Sequence, residues 1–123
     1  MQKHAAVIIL LIALGVGLLA PPAARAHAFL DHADPRVGST VRAAPGAVSL
    51  TFTEPVEASF CRIDVHDAHG QAFSAGVLEH PKPEELRLPL PVLSAGRYTV
   101  HWTVTSVDTH QTEGRFEFTV SAP

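Results

Sequence analysis

Two short stretches carry residue types that could hold a metal together: "ARAHAFLDH", residues 24–32, and "VDTHQTEG", residues 107–114. In the first, His27 follows Ala24-Arg25-Ala26, whose alanines occupy the small-residue positions of a signal-peptidase site. Cleavage after Ala26 frees the α-amine of His27. A histidine at a free N-terminus offers that amine and its own Nδ1, which together close a chelate ring around one ion. The α-amine has an ordinary pKa of ~7.7–8.0, so giving up its proton near neutral pH costs little. In the second stretch, Asp108 and His110 stand two residues apart. An extended chain turns such residues to the same side, so both reach one point. The competing reading of this stretch is an ordinary turn in which Asp108 bonds the backbone. A D-x-H pair alone is a weak motif, and its pairing with His27 gives it weight.

Amine, two imidazoles and a carboxylate make three nitrogens and one oxygen. Tetragonal N,O coordination suits Cu(II), which also heads the divalent affinity order. Zn(II) is the competitor, with a preference for a tetrahedron. The other histidines after residue 26 have plainer readings. His101 falls on the solvent phase of a strand, and His80 lies in a Pro-rich loop. His66 and His69 flank the turn "HDAHG". His32 is left without a role. Cys61 is the only cysteine, so no intrachain disulfide can form. It reads as a small buried hydrophobe on a strand, with a thiolate metal ligand as the rival.

The elements that must position these residues are strands. Alternation runs through "AVSLTF", "SFCRIDVH", "LRLPL", "RYTVHWTV" and "RFEFTV". It turns Val48, Leu50 and Phe52, then Cys61, Ile63 and Val65, then Leu86, Leu88 and Leu90 to one side. Tyr98, Val100, Trp102 and Val104, and Phe116, Phe118 and Val120, continue the set. A period of two with one apolar face describes half-buried antiparallel strands. Pro, Gly and Asp cluster between them in "ADPRVGS", "AAPG", "DAHGQ", "HPKPEE" and "SAG". Further extended pieces are expected over residues 28–33 and 72–78. Pro89 and Pro91 flank Leu90, which predicts an edge strand there. About seven short strands in roughly 100 residues is the count of an immunoglobulin-like β-sandwich, with Trp102 at the centre of its core.

Residues 1–26 read as a cleavable signal peptide: a basic start at Lys3, an apolar run from Ala5 to Ala20 and the A-x-A end. An uncleaved anchor is the alternative, but the run is shorter than the ~20 residues of a typical span. Residues 27–123 then form one domain. Loss of Lys3 and Arg25 takes the formal charge from −3 to −5. That acidic balance leaves no basic stripe for nucleic acid.

With these motifs in hand, the chain resembles the CopC/YobA family of periplasmic copper-binding, copper-resistance proteins. The resemblance rests on "HAFLDHADPRVGST", "LTFTEPVE" at 50–57, "SAGRYTVHWTVTSVDTHQTEG" at 94–114 and the terminal "FEFTV". It implies a Greek-key β-sandwich, often described as a small barrel, and a Cu(II) site on His27, Asp108 and His110. Glu54, in F-x-E-P, is similar to an acidic residue near that copper, at most a weak ligand or an outer neighbour. The family also implies a CopD-like multi-helix protein of the inner membrane as partner. Some members carry a Met-rich Cu(I) site. The single methionine here is Met1, which leaves with the signal peptide, so a thioether site is excluded.

The expectation is a Cu(II) carrier of the periplasm for copper resistance, homeostasis or delivery, and not an enzyme. Two rivals belong to other classes. A metal-free adhesion or interaction sandwich would ignore copper. An oxidase with copper on an N-terminal histidine would need a glycan, and none is expected: Asp108 takes a coordination position and the chain is small for a polysaccharide-binding face.

Overall fold

The computed structural model describes residues 27–122; the expected signal peptide, residues 1–26, lies outside the described residues. Among the described residues eight strands form: β1 (Leu30–Asp34), β2 (Thr40–Val41), β3 (Ala47–Phe52), β4 (Arg62–Asp67), β5 (Glu79–Lys82), β6 (Glu85–Pro89), β7 (Gly96–Thr105) and β8 (Gln111–Val120). They make two four-stranded sheets, ordered β1-β3-β6-β5 and β2-β8-β7-β4. The chain passes from one sheet to the other repeatedly, as a Greek-key sandwich requires. The only helix among the described residues is a single 3₁₀ turn, Ala58–Phe60, and none there is long and apolar enough to cross a membrane.

The alternating residues meet between the sheets. Val48, Leu50, Phe52, Ile63, Val65, Leu86, Leu88, Leu90 and the inward set of β7 and β8 are all buried. Aromatic contacts run both between the sheets, from Phe52 to Trp102, and within one, from Tyr98 to its β8 neighbour Phe118. Phe52 meets Trp102 edge-on at 5.2 Å, and Tyr98 stacks on Phe118 at 5.5 Å. Offset and edge-on geometries of this kind add to what burial alone contributes.

Four expectations need correction. The first strand starts at Leu30, not 28, and a register irregularity between Leu30 and His32 turns Asp31 and His32 both outward. Residues 72–78 form no strand, only an isolated bridge from Ala72 to His66. The fourth strand of the β1-β3-β6 sheet is β5, which runs from Glu79 into the "HPKPEE" stretch expected to be a turn. β5 pairs with β6 alone, so Pro81 sits on an edge where a missing N–H is harmless. β6 is therefore an interior strand, not an edge. Pro89 is tolerated because β5 reaches no further along β6 than Arg87, and beyond it Pro89 offers its carbonyl to the Ala75 N–H at 2.8 Å.

Candidate metal site

The β7–β8 pair fixes half of the site. Its ten-residue register ends with Thr105 opposite Gln111. Ser106 and His110 then bond across the neck, from the Ser106 N–H to the His110 carbonyl at 2.9 Å. Val107, Asp108 and Thr109 make the loop. The Thr109 N–H closes a β-turn onto the Ser106 carbonyl at 2.8 Å, and Thr109 itself is left-handed at φ 71°. This is a three-residue hairpin loop, a turn followed by one left-handed residue. Asp108 and His110 are thus not neighbours on one face of an extended strand. The segment is a turn closed by the backbone bonds of Thr109 and Ser106, and His110 leaves it just past a β-branched residue held in a conformation that glycine normally takes.

The N-terminal segment supplies the other half. Ala28 is fully buried, and its carbonyl accepts from the Thr112 hydroxyl of β8 at 2.5 Å. Phe29 is bonded on both sides to Thr53, just past β3: its N–H donates to Thr53 Oγ1 at 3.0 Å and its carbonyl accepts from the Thr53 N–H at 2.8 Å. Two threonines, one from each sheet, thus fix residues 28 and 29. The result is that His27 projects over the hairpin loop. Its ring lies 4.8 Å from the ring of His110, centroid to centroid, at 57°. The Phe29 ring flanks His27 at 6.1 Å. Both imidazoles are exposed and open to an incoming ion.

His27 and His110 are therefore brought together. Asp108 is exposed on the loop two residues away, and no group of three or more His, Cys, Asp and Glu side chains is gathered as a metal cage among the described residues. A fourth donor of the expected set, the α-amine, is not a side chain and exists only after cleavage. Glu54 is half-buried beside Thr53, at the same end of the sandwich. Thr53 and Thr112 escaped the sequence reading, although a polar residue in the core phase of β8 was a usable signal at Thr112.

The remaining candidates are engaged elsewhere. The His80 ring bonds the Pro83 carbonyl at 3.0 Å, His101 lies 3.6 Å from Glu113, and His32 meets Asp31 at 2.7 Å. His66 lies in β4 and His69 in the turn after it, at the opposite end of β7 from the hairpin loop. Cys61 is half-buried just before β4 and donates to the Glu57 carbonyl at 3.1 Å. Burial pushes its thiol pKa up, with the Glu57 charge adding to this and the Thr105 backbone N–H opposing it. It stays a thiol at neutral pH, which disfavours the thiolate reading.

The CopC domain family matches residues 30–121 of this sequence. The chain belongs to the CopC family. YobA of Escherichia coli K12 is 34% identical over 105 residues, 83% of this chain and 85% of that protein. Copper transport protein CutJ of Bacillus subtilis is 28% identical across 98% of this chain, which spans only 22% of CutJ. Among solved structures, CopC from Methylosinus trichosporium OB3b superposes with a TM-score of 0.70 at 38% identity, over 77% of this chain and 94% of that one. PcoC, a methionine-rich copper resistance protein from Escherichia coli, gives 0.71 at 28% identity, over 78% and 100%. The family match takes in Glu54, Asp108 and His110 and starts beyond His27.

Proposed function

We propose that this chain carries Cu(II) in the periplasm for copper resistance, homeostasis or delivery, exported by a signal peptide cleaved after Ala26. The observation that carries the reading is the 4.8 Å approach of His27 to His110, made by a residue behind a cleavage site and a residue on a hairpin loop. The ligands are the α-amine and Nδ1 of His27, an imidazole nitrogen of His110 and a carboxylate oxygen of Asp108. Asp108 sits on an exposed loop, where its side chain is free to swing onto the ion. Glu54 is an outer neighbour or weak ligand. The protein carries its ion and does no chemistry on it. The copper resistance and copper transport roles named for PcoC and CutJ support this reading. A CopD-like protein of the inner membrane is the partner that the family resemblance implies.

The test is Cu(II) titration of the cleaved protein, read by quenching of Trp102, the only tryptophan, and by EPR. His110→Ala and Asp108→Ala are each expected to weaken binding strongly. His80→Ala and His101→Ala change it little, because those rings are engaged at Pro83 and near Glu113. Equal losses in all four variants would mean diffuse surface binding. No binding at all would return the chain to the metal-free class.

Valence follows from the same donors. Residues 27–123 contain no methionine, and their one cysteine is a half-buried thiol. Amine and carboxylate favour Cu(II), whereas Cu(I) prefers soft sulfur. The reduced protein is expected to surrender Cu(I) to a chelator that a Met-rich protein resists. Comparable Cu(I) retention in that competition would contradict the assignment.

A further inference from the structure

We infer that Thr112 is a positioning residue for copper binding: its hydroxyl, with Thr53, latches the N-terminal segment across both sheets and so holds His27 against His110. This deepens the proposed Cu(II) site and rests on it. Inward positions on β8 alternate through Thr112, Gly114, Phe116, Phe118 and Val120. A threonine in that series puts a hydroxyl at the edge of an apolar core. A hydroxyl there needs a partner, and the one it has is the carbonyl of Ala28, 84 residues away in sequence and one bond before Phe29. Ala28 is packed to zero exposure at the same point. From the opposite sheet, Thr53 bonds both backbone groups of Phe29. The segment is therefore pinned immediately after His27, and only His27 itself is left to choose its direction.

The consequence concerns binding more than folding. An unpinned N-terminal histidine is a peptide ligand that must be ordered as the ion binds, which costs conformational entropy. A pinned one meets His110 already in place. Partners that orient metal ligands without touching the metal are typically worth about 10–100-fold in affinity. Thr112→Val keeps the shape and removes the hydroxyl, leaving the Ala28 carbonyl without it. Thr112→Ser keeps the hydroxyl.

The experiment uses the protein beginning at His27, with Cu(II) alone as probe. Thr112→Val is expected to lose about 10-fold or more in Cu(II) affinity, with an EPR spectrum that becomes heterogeneous as His27 competes poorly. Thr112→Ser is expected to restore both affinity and spectrum. Thr53→Val, at an exposed position that keeps the backbone bond to Phe29, is expected to shift binding the same way by less. Parent-like binding in Thr112→Val, alongside a loss in His110→Ala, overturns the latch and leaves the site standing. Parent-like binding in both overturns the site and the latch with it. Equal losses in Thr112→Ser and Thr112→Val overturn the role of the hydroxyl in favour of packing. Should Thr112→Val fail to fold by near-ultraviolet circular dichroism, Thr53→Val carries the test, and unchanged binding there overturns the inference.

Discussion

The protein that begins at His27 is expected to bind Cu(II) at least about 100-fold more tightly than the same protein with one residue added before it. The scale follows from comparison: even groups that merely orient a metal ligand are worth about 10–100-fold, and here a ligand itself is lost. An added residue converts the α-amine into an amide, whose nitrogen gives up its proton far less readily. The two-nitrogen chelate of His27 is gone, and an imidazole, His110 and Asp108 remain as separate donors. The fold blocks the obvious escape. Sliding the segment by one residue to present the new amine would pull Ala28 out of its buried place and off the Thr112 hydroxyl. One alternative product could mislead the measurement. Cleavage after Ala24 would yield Arg25-Ala26-His27, where a histidine in third position binds Cu(II) through its own amine and two backbone amides. Pro22 would then occupy a position that wants a small residue, so this product is expected to be scarce. Its binding would not depend on Asp108 or His110, which separates the two forms. Equal affinity and identical EPR spectra for the His27 form and a Met-extended form would defeat the N-terminal chelate.

The parts of this molecule that were legible in sequence are those governed by local periodicity. β3, β4, β6, β7 and β8 bury the residues their alternation selects, from Val48 to Val120, with Cys61, half-buried just ahead of β4, as the exception, because a half-buried strand writes its environment into every second residue. β5 wrote nothing. All four of its residues are exposed, so no apolar face existed to be read, and its two-sided polarity fits a short edge strand. β2 is two residues long and pairs in parallel with the end of β8, a contact with no local signature.

The site divides in the same way. His27 and His110 were identifiable by residue type and by the cleavage site ahead of one of them. The path that brings them together was misjudged, since a D-x-H run reads as extended whereas Thr109 is left-handed at φ 71°. A β-branched residue is the least expected occupant of that conformation, so turn chemistry pointed elsewhere. Thr53 and Thr112 act on residues 24 and 84 positions away. Local spacing carries no information about contacts of that range. A backbone conformation held against preference beside a proposed ligand, and a core-phase hydroxyl bonded to the N-terminal segment, are departures from local rules. They fall where a functional site is expected to break such rules.

Gly114→Ala is expected to destabilise the fold by roughly 1–3 kcal/mol, the usual range for overpacking a filled core. Gly114 stands opposite Trp102 across the β7–β8 ladder. A Cβ there would lie 2.5 Å from Cζ2 and 2.8 Å from Cε2 of the indole. Those atoms belong to a rigid ring, and the ring is only 6% exposed and meets Phe52 edge-on. It cannot swing away as the tip of a flexible side chain would. The backbone of Gly114 is not left-handed, so what demands glycine is space. Opposing the clash is the entropy gained when glycine is replaced in the unfolded chain, about 0.4–1 kcal/mol. The clash wins because both close contacts fall below any ordinary van der Waals separation. For a domain of this size the loss corresponds to a melting temperature lower by about 5–15 °C, with altered Trp102 fluorescence as the local sign. Gly46→Ala is the control: its added Cβ would meet nothing within 4 Å, so its melting temperature stays at or slightly above that of the parent. If Gly114→Ala melts with Gly46→Ala, Trp102 is not packed on β8 in the way described. Because Trp102 lies on the strand that leads into the His110 hairpin, the same variant should also loosen the loop. Weaker Cu(II) binding at temperatures where the protein is still folded is the expected second sign.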